Sequence, residues 1–174
     1  MPFKSVTLYT DGACLGNPGP GGYGVVLIYG DRRKELSGGF RLTTNNRMEI
    51  MAALVALQAL KEKCRVVLYS DSQYLVHAIE RGWAARWRAN QWRRNQRERA
   101  LNADLWERLL PAVESMDVEF RWVKGHAGHP ENERCDELAM GAAKAKDLAI
   151  DHGYEETTGG PAGGFPPRFP QFGR

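Results

Sequence analysis

The stretch "YTDGACLGNPGPGGYGVVLIYG", residues 9–30, carries the reading of the fold. It is apolar at both ends, Gly- and Pro-rich between, and holds one acid, Asp11, where the first apolar run stops. Gly19–Gly24 spells G-x-G-x-x-G, and Val25 extends it to a kinase-like glycine loop. A dinucleotide site would need a helix next, whereas the β-branched run "VVLIY" follows and reads as a buried strand. A kinase would need an H-R-D loop and a D-F-G further on, and a Walker loop would need Gly-Lys-Ser/Thr; the sequence has none of these. The glycines are therefore expected to form a wide loop, open to close backbone approach, between two strands.

Working outward, strands are expected over 4–10, 22–30 and 33–42, an antiparallel meander with a turn at "GDRR". "TTNNRMEIMAALVALQAL" then turns helical, with Thr44 or Asn45 as cap and Met48, Met51, Ala52, Val55 and Ala59 at helical spacing. "RVVLYS" (65–70) reads as a strand and "DSQYLVHAIERG" as a helix ended by Gly82. Helices are expected at 83–89 and 102–114, a half-exposed strand at 118–123, and a last helix at about 133–149. From Gly153 the chain is rich in Gly, Pro and aromatics and lacks a period, so residues 151–174 read as a tail on a domain of residues 1–150. Phe165, Phe169 and Phe172 offer it a means of packing on the body. The element order gives a mixed α/β sheet whose later strands run parallel to the first, with sites at their carboxyl ends.

The 174 residues suit one domain with a full core, and 43% apolar with 26% charged residues suits a soluble globular chain. No apolar run approaches the roughly 20 residues of a bilayer span, and the N-terminus lacks a signal-peptide layout. Cys14, Cys64 and Cys135 are odd in number and far apart, which speaks for a reducing cytoplasm rather than a disulfide framework. The net charge of +3 is unevenly spread. Residues 81–99, "RGWAARWRANQWRRNQRER", hold seven arginines against Glu98, a net +6 that leaves −3 for the rest. A solvated helix face is the plainer reading of such a run. Trp83, Trp87 and Trp92 argue instead for a nucleic-acid handle, since exposed indoles are costly unless they bind or pack.

Four acids recur at the expected site edge. Taken alone, each has a local explanation: Asp11 a turn with Gly12, Glu49 a capping box with Asn46, Asp71 an N-cap, Asp136 a partner of the helix dipole. Together, Asp11 and Asp71 end neighbouring parallel strands, and Glu49 and Asp136 begin helices that can dock there. Converging carboxylates repel unless cations neutralise them, and an all-oxygen donor set suits Mg²⁺ or Mn²⁺. A zinc reading of His126, His129 and Cys135 lacks a Cys pair and a fourth ligand. His126, between glycines in "GHAG", has the chemistry of a mobile proton carrier.

Four blocks, "YTDGACLGNPGPGGYG", "TTNNRMEIMAAL", "YSDSQYL" and "VKGHAGHPENERCDELA", closely resemble the bacterial single-domain type I ribonuclease H family, in order, from about residue 4 to 146. The resemblance implies a five-stranded mixed sheet of order 3-2-1-4-5 flanked by helices. It also implies a monomer that hydrolyses the RNA strand of RNA/DNA hybrids with two Mg²⁺ ions, leaving 5′-phosphate and 3′-hydroxyl ends. By the same resemblance the metal carboxylates are Asp11, Glu49, Asp71 and Asp136, and the catalytic histidine is His126. Hybrid contacts fall on Cys14, Asn17, Asn45, Asn46 and Gln73, and a DNA-phosphate pocket includes Thr44. The basic handle spans about 81–101, with Trp83, Trp87, Arg93 and Arg94 on the substrate side. Two other readings stand beside this one: a non-catalytic binder of hybrids or double-stranded RNA on the same fold, and a DNA-cleaving relative such as an integrase or resolvase. The handle is all Arg where relatives often mix in Lys, and "RERALNADLW" lacks their Lys-Pro-Val-Lys segment.

Overall fold

The structure, a computed structural model, describes residues 3–158. Three strands come first: β1 (Lys4–Cys14), β2 (Gly19–Tyr29) and β3 (Arg32–Thr43). Then follow α1 (Asn45–Gln58), β4 (Cys64–Ser70), α2 (Gln73–Glu80), α3 (Trp83–Ala89), α4 (Ala103–Glu114), β5 (Asp117–Trp122), α5 (Pro130–Ala143) and α6 (His152–Thr158). The sheet order is β3-β2-β1-β4-β5, as the resemblance implies. β2 pairs antiparallel with β1 and β3, while β1–β4 and β4–β5 are parallel.

The opening stretch differs from its expected form. Most of its glycines lie inside strands, and only residues 15–18 connect β1 to β2. Gly12, Ala13 and Cys14 pair with Tyr23, Gly22 and Gly21. The reason is packing. A Cβ at Gly24 would overlap the Cys135 carbonyl oxygen of α5, so the glycine lets that helix settle on the strand. Overpacking of this kind costs about 1–3 kcal/mol. Gly24→Ala is therefore expected to lower the urea midpoint with an unchanged slope; an unmoved midpoint would mean that α5 can lift off freely.

Successive strand residues face opposite sides. Gly24 pairs with Asp11, and a Cβ at Gly12 would fall 2.5 Å from the Glu49 backbone nitrogen of α1. So α5 and α1 cover opposite faces. On the α1 side the core gathers Leu8, Val25, Leu54, Leu68, Leu75, Leu109 and the fully buried Trp106. α1 is buried nearly all round, not along one stripe: Ile50, Ala52, Ala53, Leu54 and Ala56 are inaccessible, whereas Met51 and Val55 are half-buried.

The helix expected at about 133–149 is α5, which begins at Pro130, with proline in the first turn, where its missing N–H costs nothing. It stops at Ala143, not 149, and the chain then runs along the outer edge of β3. Arg41 N–H donates to Ala149 O (2.9 Å) and Ala149 N–H to Gly39 O (3.1 Å), which covers an otherwise open sheet edge. The fold does not end at 150 either. α6 docks on β3, and Asp151 and Glu155 are buried. The three tail phenylalanines lie outside the described residues.

Candidate active site

β1 and β4 run parallel up to Thr10 opposite Ser70, so Asp11 and Asp71 come next, side by side, where that pairing ends. Local chemistry leaves both free for the site. Asp11 lies within β1 rather than in a turn. Ser72, not Asp71, caps α2, its Oγ accepting from Leu75 N–H at 3.1 Å. Thr44 caps α1 by accepting from Arg47 N–H at 3.2 Å, which frees Glu49 from the capping box as well. One oxygen from each of Asp11, Glu49 and Asp71 lies within 4.8 Å of the others.

The three carboxylates are an electrostatic problem that a cation solves. Burial, then the nearby Asp71 charge, pushes Asp11 up to about 8. Burial and Asp11 likewise hold Glu49 well above the usual carboxylate range. Gly12 N–H donates to Asp11 Oδ1 at 2.9 Å, but Glu49 Oε2 is buried without a hydrogen-bond partner. An orphaned carboxylate oxygen among hard donors fits a hard divalent ion. Asp136, in the second turn of α5, is not one of the three at ligand distance, though its charge also raises Asp11. His126 is exposed in a left-handed conformation (φ 55°) on the β5–α5 loop. A Cβ on its neighbour Gly125 would sit 2.7 Å from Asp71 Oδ2, so this loop lies directly against the acids. His126, His129 and Cys135 form no metal-binding group among the described residues; Cys135 is fully buried, and burial pushes its thiol far up.

Around the acids, Asn45 N–H donates to Asn17 Oδ1 (3.2 Å), tying the β1–β2 connection to the start of α1. Cys14 Sγ lies 3.9 Å from Gly19 O, and burial pushes its thiol up to about 11. Gln73 is exposed two residues after Asp71. Asn17, Thr44, Asn46, Arg94 and Arg97 line a cleft of about 900 Å³.

The tryptophans depart from the expectation of exposed indoles. Trp92 is buried in the core, folded back through left-handed conformations at Gln91 and Trp92. Trp83 is half-buried, edge-on to His77 at 6.2 Å with the Arg81 guanidinium over it, and Trp87 packs 6.2 Å from Trp106. The indoles fasten the handle to the body. The arginines at 81, 86, 88, 93, 94, 97 and 99 are exposed; Arg88 pairs with Glu114 and Arg94 with Glu98.

One cluster has no counterpart in the sequence reading. Arg47, buried on α1, donates to both Asp104 oxygens (2.8 and 2.7 Å) and to both Asp151 oxygens (2.7 and 2.9 Å), and Thr43 Oγ1 donates to Asp151 Oδ2 at 2.7 Å. Its one signal was an arginine amid the apolar residues of a central helix, which requires acidic partners.

A sheet of this order with acids at the ends of two central parallel strands defines a ribonuclease H-like enzyme. A family model described as RNase H matches residues 3–144. The ribonuclease H of Desulforamulus reducens is 68% identical over 148 residues, covering 85% of this chain and 93% of that protein. That of Syntrophus aciditrophicus is 67% identical over 153 residues, 88% of each. Among solved structures, LC9-RNase H1, a type 1 RNase H with the type 2 active-site motif, superposes with a TM-score of 0.76 at 36% identity, over 90% of this chain and 81% of that one. The chain belongs to the RNase H family, in its bacterial type I branch.

Proposed function

We propose that the protein hydrolyses the RNA strand of RNA/DNA hybrids without regard to sequence, leaving 5′-phosphate and 3′-hydroxyl ends. The observation that carries this reading is the trio of close carboxylates with Glu49 Oε2 unpartnered. Asp11, Glu49, Asp71 and Asp136 would hold two Mg²⁺ ions, with Mn²⁺ as a substitute. Bound there, such ions supply Lewis acidity for activating water and for stabilising the leaving oxygen. His126, on the loop beside the acids, is placed to carry a proton to or from the reacting groups. Asn17, Asn45, Asn46, Gln73 and Cys14 face the wide minor groove, where the 2′-hydroxyl tells RNA from DNA. Thr44 and the handle hold phosphates, with Trp83 and Trp87 setting the handle's pose beside the duplex.

No helix among the described residues is long and apolar enough to cross a membrane. The three free cysteines fit a cytoplasmic enzyme, which acts as a monomer in this reading.

The test is one end-labelled duplex of about two helical turns, made as RNA/DNA, RNA/RNA and DNA/DNA, with Mg²⁺ and with EDTA. Mg²⁺-dependent cutting confined to the RNA of the hybrid is expected. Cutting of the all-DNA duplex would favour the integrase-like reading, and binding without cutting a non-catalytic binder. Replacing Arg93, Arg94 and Arg97 with Ala should weaken hybrid binding and flatten its salt dependence, by roughly one unit of log–log slope for each arginine that grips a phosphate. Arg94 should contribute least, because it must leave Glu98 to reach a phosphate. An unchanged slope would leave the arginines as a solvated face.

A further inference from the structure

The cleft of about 900 Å³ is lined both by the handle and by α6. Arg94 and Arg97 of the handle line it, together with Leu101, which is 71% exposed. Tyr154, Glu156 and Thr157 of α6 line it too, as do Thr44 and Asn46. α6 is no loose appendage. Asp151, just before it, is clamped by Arg47, and Glu155 accepts three hydrogen bonds of 2.8–3.1 Å from Arg41. A duplex gripped by the handle and by Thr44 therefore passes a fixed second wall. The threonine hydroxyls of that wall offer phosphates little. Thr157 Oγ1 donates to Gly153 O (2.7 Å) and Thr158 Oγ1 to Tyr154 O (2.9 Å), so both hydroxyl protons are already used. Glu156 is exposed, and its ion-pair contact is a long one, 3.9 Å to His152 Nδ1.

Resting on the hybrid-binding reading above, we propose that α6 is the second wall of the nucleic-acid cleft, and that Glu156 repels the sugar–phosphate backbone there and confines it to the arginine side. Glu156 then lowers affinity in exchange for placement, a role for the C-terminal helix that the four acids and the handle do not fill.

The test is fluorescence anisotropy of a labelled RNA/DNA hybrid in EDTA, over a salt series, with the full chain. Glu156→Lys should tighten binding about 5- to 10-fold at low salt and steepen the salt slope by about one; Glu156→Gln should move both in the same direction by less. Glu62→Lys makes the same change in net charge just before β4, at the end of the sheet away from the acids, and should shift Kd less than about twofold. If Glu156→Lys binds no better than Glu62→Lys while the unaltered protein binds hybrid normally, α6 is not part of the interface and this inference alone falls. If the unaltered protein does not bind hybrid, the functional reading falls first and carries this one with it.

Discussion

Asp11→Asn is expected to abolish cleavage and, in EDTA, to make the protein more stable. The loss should reach about 1000-fold or more, because metal-assisted catalysis supplies several kcal/mol and each 1.4 kcal/mol is tenfold in rate. The gain in stability follows from the Asp11 carboxyl, raised from 3.8 to about 8 by burial and by the Asp71 charge. In the unfolded chain this acid is ionised above about pH 4; in the metal-free fold it keeps its proton up to about pH 8. Folding therefore takes up a proton across that window, stability falls as pH rises through it, and the penalty is complete above it. Asparagine carries no such penalty. The variant should gain most over the parent near pH 8 and little near pH 4, read as urea midpoints in EDTA. Glu35, which the Arg134 and Arg33 hydrogen bonds lower to about 2, loses its contribution only below 4.5 and leaves the upper window clear. Mg²⁺ should raise the parent's midpoint and move the variant's much less, since binding to the folded state alone stabilises by mass action. A variant less stable than the parent at pH 8 in EDTA would mean that Asp11 is held ionised by a partner other than a metal.

Asp11 also marks what was readable in advance. Its place beside Asp71 followed from strand–helix–strand topology, because parallel neighbours must present their carboxyl ends together. Its place inside β1, opposite Gly24, did not. That depends on the Cys135 carbonyl of α5 pressing on a glycine more than a hundred residues earlier, and no local pattern records such an approach. The handle's charge was legible from composition, whereas the inward turn of Trp92 rests on two left-handed residues, Gln91 and Trp92, neither of them a glycine. The end of the domain was misplaced for a related reason. "DHGYEETT" is short, polar and without period. What holds it are ion pairs from Arg47 and Arg41 rather than an apolar face, and only the fold brings those arginines to it.

The consequence of that hidden anchoring is large. Asp151→Ala should destabilise the protein by about 3–5 kcal/mol, the usual effect of removing one partner of a buried ion pair. Arg47 and Asp151 are each 4% exposed, so water cannot replace the missing carboxylate. The Thr43 hydroxyl and two Arg47 donors are left without their acceptor at once, and α6 without its anchor. For a chain of this length about 2–4 °C of melting temperature accompanies each kcal/mol, which predicts a fall of roughly 6–20 °C by calorimetry. Asp151→Asn keeps an acceptor oxygen and should fall between. Pairing Asp151→Leu with Arg47→Met should recover only part of the loss, because it removes the stranded guanidinium but leaves Asp104 without its partner. Asp104 supplies an acid-side check. Burial alone would raise it, but the Arg47 hydrogen bonds and charge, together with backbone N–H donors, outweigh burial and hold it below its ordinary value. Its contribution is therefore present above that value and disappears as pH falls through its lower folded value. The Arg47→Met, Asp151→Leu variant, which removes that arginine, should lack this component of acid unfolding and with it the stability that Asp104 supplies at neutral pH, where burial then disfavours the unpaired carboxylate. If Asp151→Ala melted within about 2 °C of the parent, Asp104 alone would be enough to hold Arg47, and α6 would owe its position to Glu155 and the β3 edge instead.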